Sequence, residues 1–165
     1  MKDNKGQISA EFLFLFGVLI IIVMLSIIFA ANENELNMAM AAAKNGVLEG
    51  ITTSSSGIYP TETFNDYSIT KTNLFQPYSV EIINISYNDL GYDTNYDKKR
   101  IQFKVYAKTS DRFTHDELTS IGDRINYNLR KSIAISFNTT ASTNKLYNPV
   151  FSNHYVYTTA NVKWI

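Results

Sequence analysis

Cysteine is missing from all 165 residues. Disulfides, a thiolate metal centre and thiol catalysis are therefore excluded, and stability has to come from packing. Net charge is missing too. Fifteen basic and fifteen acidic side chains cancel, which leaves no electrostatic footprint for wrapping nucleic acid. Histidine is scarce: His115 and His154 stand alone, without partners at ligand spacing, so both read as surface residues and no metal site is expected. No nucleophile elbow, phosphate-binding glycine loop or catalytic triad is recognisable, and no internal repeat. An enzyme is not expected, nor is a cofactor.

The most consequential absence is local. Residues 12–31 carry no charge and are rich in Phe, Leu, Ile and Val. As a helix this stretch would span about 30 Å, the thickness of a bilayer's hydrocarbon core. Lys2 and Lys5 precede it and Glu33 and Glu35 follow it. That asymmetry keeps the short N-terminus cytoplasmic and places everything after the span outside. From residue 32 to 49 the chain is rich in Ala and Met and free of proline, with Leu36, Met40, Ala43, Val47 and Ile51 recurring at steps of three and four. One continuous helix of about 45 residues is expected, half in the membrane and half amphipathic. Gly50 and the Thr/Ser-rich stretch at 52–57 are expected to stop it.

Beyond that point the period changes to two. Ile101, Phe103, Val105 and Ala107 alternate with Gln102, Lys104, Tyr106 and Lys108, as in a half-buried strand. Similar alternation predicts strands through Ile133, Ile135 and Phe137, and through Val156, Thr158, Ala160, Val162 and Trp164. Another is expected over 79–87, where Ile82 and Ile83 break the alternation and suggest a bulge or change of face; residues 58–70 give a weaker candidate. One helix lies among them. Thr114 and Glu117 have capping-box spacing, Leu118, Ile121, Ile125 and Leu129 form an apolar stripe, and Arg130 and Lys131 suit a C-terminal dipole end. The expected fold is α+β: a long N-terminal helix, then a mainly antiparallel sheet with one additional helix. The head's apolar residues are patterned for its own sheet and helix, so a piece from Thr53 onward is expected to be soluble and monomeric.

The residues that carry function stand at the mouth of the apolar run. Gly6 is followed by Gln7, Ser9, Glu11 and Leu15, the pattern Gln-x-Ser-x-Glu-x-x-x-Leu. This resembles the class III signal peptide of archaeal type IV pilins, particularly those of methanogens, in which a dedicated membrane peptidase cuts between the Gly and the Gln. The resemblance covers roughly the first fifty residues. It implies a cleaved leader (1–6), a polymerising transmembrane helix (7–52) and an extracellular head (53–165). It also implies a precursor in the cell membrane that becomes part of a surface filament. The implied partners are other pilin subunits, the prepilin peptidase, a pilus assembly ATPase and its membrane platform. Cleavage after Gly6 would create a positive amine on Gln7, and Glu11, four residues later, is expected to pair with such an amine as the assembly contact. Archaellins generally lack that glutamate, so Glu11 favours an adhesive pilus.

Physical chemistry agrees that Glu11 needs a reason: a carboxylate at the head of a membrane segment is costly to bury without a partner or a task. Three other readings stay open. Glu11 could simply mark the membrane interface. An ordinary secretory signal could end near Ile28 and Ala30, although its apolar core usually runs about 7–15 residues. A plain signal anchor that never polymerises is the third. In that event, or as a minor pilin, the head would be a surface-binding module instead of bulk polymer.

Asn84-Ile85-Ser86 and Asn138-Thr139-Thr140 are N-glycosylation sequons. Both asparagines have the opposite strand parity to their apolar neighbours and are expected to face outward. Asp93, Asn95 and Asp97 imitate the start of a calcium loop, but Lys98 stands where glycine is required and Lys104 where the bidentate glutamate would be. A solvated hairpin loop is the expectation. All eleven tyrosines lie beyond residue 58; strand propensity accounts for most, and a tyrosine-lined adhesive face is the alternative reading.

Overall fold

The computed structural model describes residues 5–52, 69, 80–109 and 113–165. The strand expected over 58–70, Ile69 apart, and the loop at 53–57 lie outside the described residues. The long helix is present as one element, α1 (Lys5–Thr52), 48 residues without interruption. The chain divides into two compact units, Met1–Asn37 and Met38–Ile165.

In the first unit, α1 is long and apolar enough to cross a membrane, with a window of mean hydropathy 3.2 of which none is buried by the chain itself. Phe12 and Phe16, one turn apart, stack with centroids at 6.4 Å. The Ser26 hydroxyl donates to the Ile22 carbonyl at 2.8 Å. That bond lets a polar side chain sit in an apolar stretch without an unsatisfied donor.

The second unit is built from the last part of α1, strands β1 (Val80–Asp93), β2 (Lys98–Thr109), β3 (Val150–Phe151), β4 (Tyr155–Thr159) and β5 (Lys163–Trp164), and helix α2 (His115–Ser136). β1 and β2 form an antiparallel hairpin, and β2 then pairs in parallel with both β4 and β5, while β3 pairs antiparallel with β4. The α+β architecture matches the expectation, and the sheet is mixed. The reason is connectivity. α2 lies between β2 and β4 and carries the chain back to the end from which β2 started, which is the crossover a parallel neighbour requires.

β2 alternates as its sequence predicts: Ile101, Phe103, Val105 and Ala107 are buried, and the residues between them are partly exposed. The irregularity expected near Ile82 and Ile83 is a register shift between Ile82 and Asn84 that leaves Ile83 out of the ladder and exposed. The expected strand through Val156 and Trp164 is interrupted at 160–162 and becomes β4 and β5. Because Ile101 pairs with Tyr157, Tyr157 shares β2's buried face. There its ring meets those of Phe103, Phe137 and Tyr155, each at about 6 Å.

Helix α2 starts where the capping box predicts. Thr114 Oγ1 accepts from the Glu117 N–H at 3.3 Å, and Glu117 Oε2 accepts from the Thr114 N–H at 2.9 Å. Its end differs from expectation. Residues 133–136 continue the helix instead of forming a strand, because Ile133 extends the stripe of Ile121, Ile125 and Leu129 by another four residues. All four are fully buried. The helix closes with a Schellman motif: Asn138, at φ 54°, donates to Ile135 O at 3.0 Å, and Thr139 donates to Ala134 O at 2.8 Å. Arg130 and Lys131 are thus not in the last turn. The Arg130 guanidinium donates instead to the Leu146 carbonyl at 3.2 Å and to the Thr159 hydroxyl, tying α2 to the following loop and to β4. Burial lowers its pKa from the usual arginine value, an effect that Asp123 opposes.

Gly50 does not stop α1, which continues to Thr52. It serves a close helix crossing. A Cβ on Gly46 would lie 2.4 Å from the Asn128 carbonyl oxygen, and one on Gly50 would lie 3.0 Å from Ile125 Cα. The buried strip of α1 in this unit is Ala39, Ala42, Ala43, Gly46, Val47 and Gly50. Met40 and Ile51, expected on that face, are only partly buried. The strip puts small residues on one side of the helix, so the backbones of α1 and α2 can touch.

Candidate functional site: the N-terminal leader and its helix

The leader residues lie on the opening turns of α1. The backbone at Gly6 and Gln7 is helical, so Gln7 and Glu11 stand one turn apart, as do Glu11 and Leu15. Ser9, Glu11 and Leu15 are all exposed. Phe12, Leu15 and Phe29 are about two-thirds exposed, in a helix where the chain provides nothing to cover them. Gly17 has no heavy atom within 4 Å of the place a Cβ would take. A large apolar surface of this kind belongs in lipid or against other helices.

The sequons fall at two different places. Asn84 is exposed on β1 and pairs in register with Tyr106, on the face opposite to buried Val105 and Ala107. Asn138 is also exposed, but it occupies the left-handed position closing α2 and not a strand. Asn tolerates that conformation better than most residues.

The residues resembling a calcium loop form the β1–β2 hairpin turn. Asp93 Oδ1 accepts from the Asn95 N–H at 3.0 Å, and Asp93 Oδ2 lies 3.6 Å from the Arg100 guanidinium. Asp97, at φ 55°, accepts from the Tyr92 hydroxyl, a bond that raises the Tyr92 pKa. Both carboxylates therefore serve the hairpin. His115 and His154 are exposed, as expected. Among the described residues no group of three His, Cys, Asp or Glu could hold a metal ion.

The sequence reading missed Gly46 and the helix crossing it permits. A signal was available: Ala42, Gly46 and Gly50 repeat a small residue every four positions.

Residues 4–29 match the family model for the Class III signal peptide. No curated protein and no solved structure matches the chain. A leader of this class implies processing by a prepilin peptidase and handling by pilus assembly machinery in general. With the apolar helix behind it, it fits a membrane-anchored precursor that is then secreted. The chain carries a class III signal peptide, a type IV pilin-like leader.

Proposed function

We propose that this chain is the structural subunit of an archaeal type IV pilus-like surface filament with a role in adhesion. In this reading the peptidase cuts between Gly6 and Gln7, and the mature chain polymerises through α1. One observation carries the proposal. The leader opens directly into a helix whose membrane-length window has none of its residues buried by its own chain. The bilayer covers that surface before assembly, and copies of the same helix cover it afterwards. Other subunits, the peptidase, the assembly ATPase and its membrane platform are the partners of this reading. The head is non-catalytic.

A second reading rests on the hairpin end of the head. Leu90, Tyr92 and Tyr96 are large, apolar or aromatic, and exposed there. They suit a minor pilin or membrane-anchored protein that binds a surface. Shearing the surface filaments and quantifying their proteins by mass spectrometry separates the two. The first reading expects this chain as the dominant component and loss of the filaments on deletion. Trace amounts in the filaments, or retention in the membrane fraction alone, support the second, and absence from both filaments and membrane contradicts both.

A further inference from the structure

The first two turns of α2 and the segment from β4 to β5 line an open surface cavity of about 130 Å³, at which His115, Asp123 and Asn161 are exposed. Leu118, Val162 and Trp164 give it an apolar lining, and His115, Asp123 and Asn161 bring polar groups to it. Gly122 sets how closely these walls approach: a Cβ there would meet Val162 Cβ at 3.3 Å and Trp164 Cζ2 at 4.0 Å. The β4-to-β5 wall is tethered on both sides. Asn126 Nδ2 donates to the Ala160 carbonyl and Ala160 N–H to the Phe103 carbonyl, each at 2.9 Å, and beyond Trp164 the Ile165 N–H donates to the Ala107 carbonyl at 2.9 Å. The backbone on either side of Asn161 and Trp164 is thus fixed by the fold before any ligand arrives, which lowers the entropic cost of binding.

We infer that this cavity binds a single neutral pyranose ring. Its size argues first: it holds more than a water needs, yet lies below the roughly 300–1,000 Å³ of sites for drug-sized ligands. Its chemistry argues second. A pyranose has an apolar C–H face that suits an indole ring, and hydroxyls that both donate and accept hydrogen bonds. Asp123 accepts, while Asn161 and His115 can each donate and accept. An anionic ligand would be repelled by Asp123. A flat aromatic ligand would cover exposed Asn161 and return it no hydrogen bond. The cavity lies wholly within the Met38–Ile165 unit, so a single chain forms it complete, before any polymerisation.

Trp164 is the single tryptophan of the chain, so its fluorescence reports on this site. The full chain, in micelles of a detergent without a sugar headgroup, is titrated with the methyl pyranosides of glucose, galactose, mannose and N-acetylglucosamine. Saturation-transfer NMR on the same samples detects binding that leaves the emission unchanged. At ordinary ligand efficiency, a ligand of about a dozen non-hydrogen atoms binds with a dissociation constant of about 1 mM. The expected result is saturable binding of at least one of the four in that range. Asn161→Ala and Asp123→Ala should each weaken it about tenfold or more, with an unchanged circular dichroism spectrum. No saturable binding of any of the four overturns the proposal, and so does equal binding by wild type and both variants.

Discussion

Gly46 and Asn128 bring two helix backbones into direct contact: a Cβ on Gly46 would lie 2.4 Å from the Asn128 carbonyl oxygen and 2.8 Å from Leu129 Cα. Intrinsic propensity alone would make Gly46→Ala stabilising by about 1 kcal/mol. The contact reverses that sign, because the obstructing atoms are backbone and cannot rotate away. Overpacking of this kind costs about 1–3 kcal/mol. Gly46→Ala should therefore lower the melting temperature by several degrees, and Gly50→Ala, whose nearest contact is 3.0 Å, by less. Gly17→Ala, with no neighbour within 4 Å, should leave it unchanged or slightly higher. Thermal melts of the three variants, followed by circular dichroism, check the order.

The same crossing moves the boundary of the folding unit. Ala39, Ala42, Ala43 and Val47 are buried in the compact unit that begins at Met38. A fragment from Thr53 lacks them and uncovers the side of α2 that faces Gly46 and Gly50. Burial of one valine alone contributes about 1.5–3 kcal/mol. A fragment starting at Met38 should be soluble, monomeric and cooperatively folded, whereas one starting at Thr53 should show poor near-ultraviolet dichroism and aggregate. Sedimentation and dichroism of both fragments make the comparison.

Asn84 and Asn138 are both exposed and would lie outside the membrane. Glycopeptide analysis of native material should find sugar on at least one of them, and two unmodified peptides would remove the idea. Asn138→Gly separates sugar from fold. Glycine suits the left-handed position at φ 54° at least as well, so stability should hold while the sequon disappears.

Glu11 should be required for assembly and dispensable for membrane insertion. Cleavage after Gly6 would place a positive amine on Gln7, one helical turn from Glu11. In a filament core the amine of one subunit can pair with the Glu11 of a neighbour, which neutralises two charges and fixes axial register. Breaking a buried pair by removing one partner costs about 3–5 kcal/mol. Glu11→Val makes the helix more apolar, so processed protein should still reach the membrane. Pili counted by electron microscopy, with the variant as the only subunit, should fall by about tenfold or more. Normal numbers would return Glu11 to the role of an interface marker.

Much of the fold was legible wherever one local rule acted without competition. The charge-free run at 12–31, the Thr114/Glu117 capping box, the alternation of β2 and the break at Ile83 all follow from neighbours in sequence. What failed depended on partners far along the chain. Ile133, Ile135 and Phe137 satisfy a period of two, but Ile133 also stands four residues after Leu129, and burial against the rest of the head favoured the helix. Gly50 has the composition of a helix stop; only the position of Ile125 shows it to be a contact. The parallel pairing of β2 with β4 followed from the crossover that α2 provides, and strand patterns alone carried no sign of direction. The leader was legible because its recognition is itself local, a short pattern at a fixed distance from an apolar run.

In the proposed function this local pattern is read and cut, so that α1 becomes a polymerising helix with a free amine at its start. Peptide mass spectrometry of the N-terminus of the native protein tests it most directly. The mature chain should begin at Gln7, and a bulky residue in place of Gly6 should leave an uncleaved, membrane-bound precursor. A native N-terminus at Met1, or one near Ala31, would contradict the account.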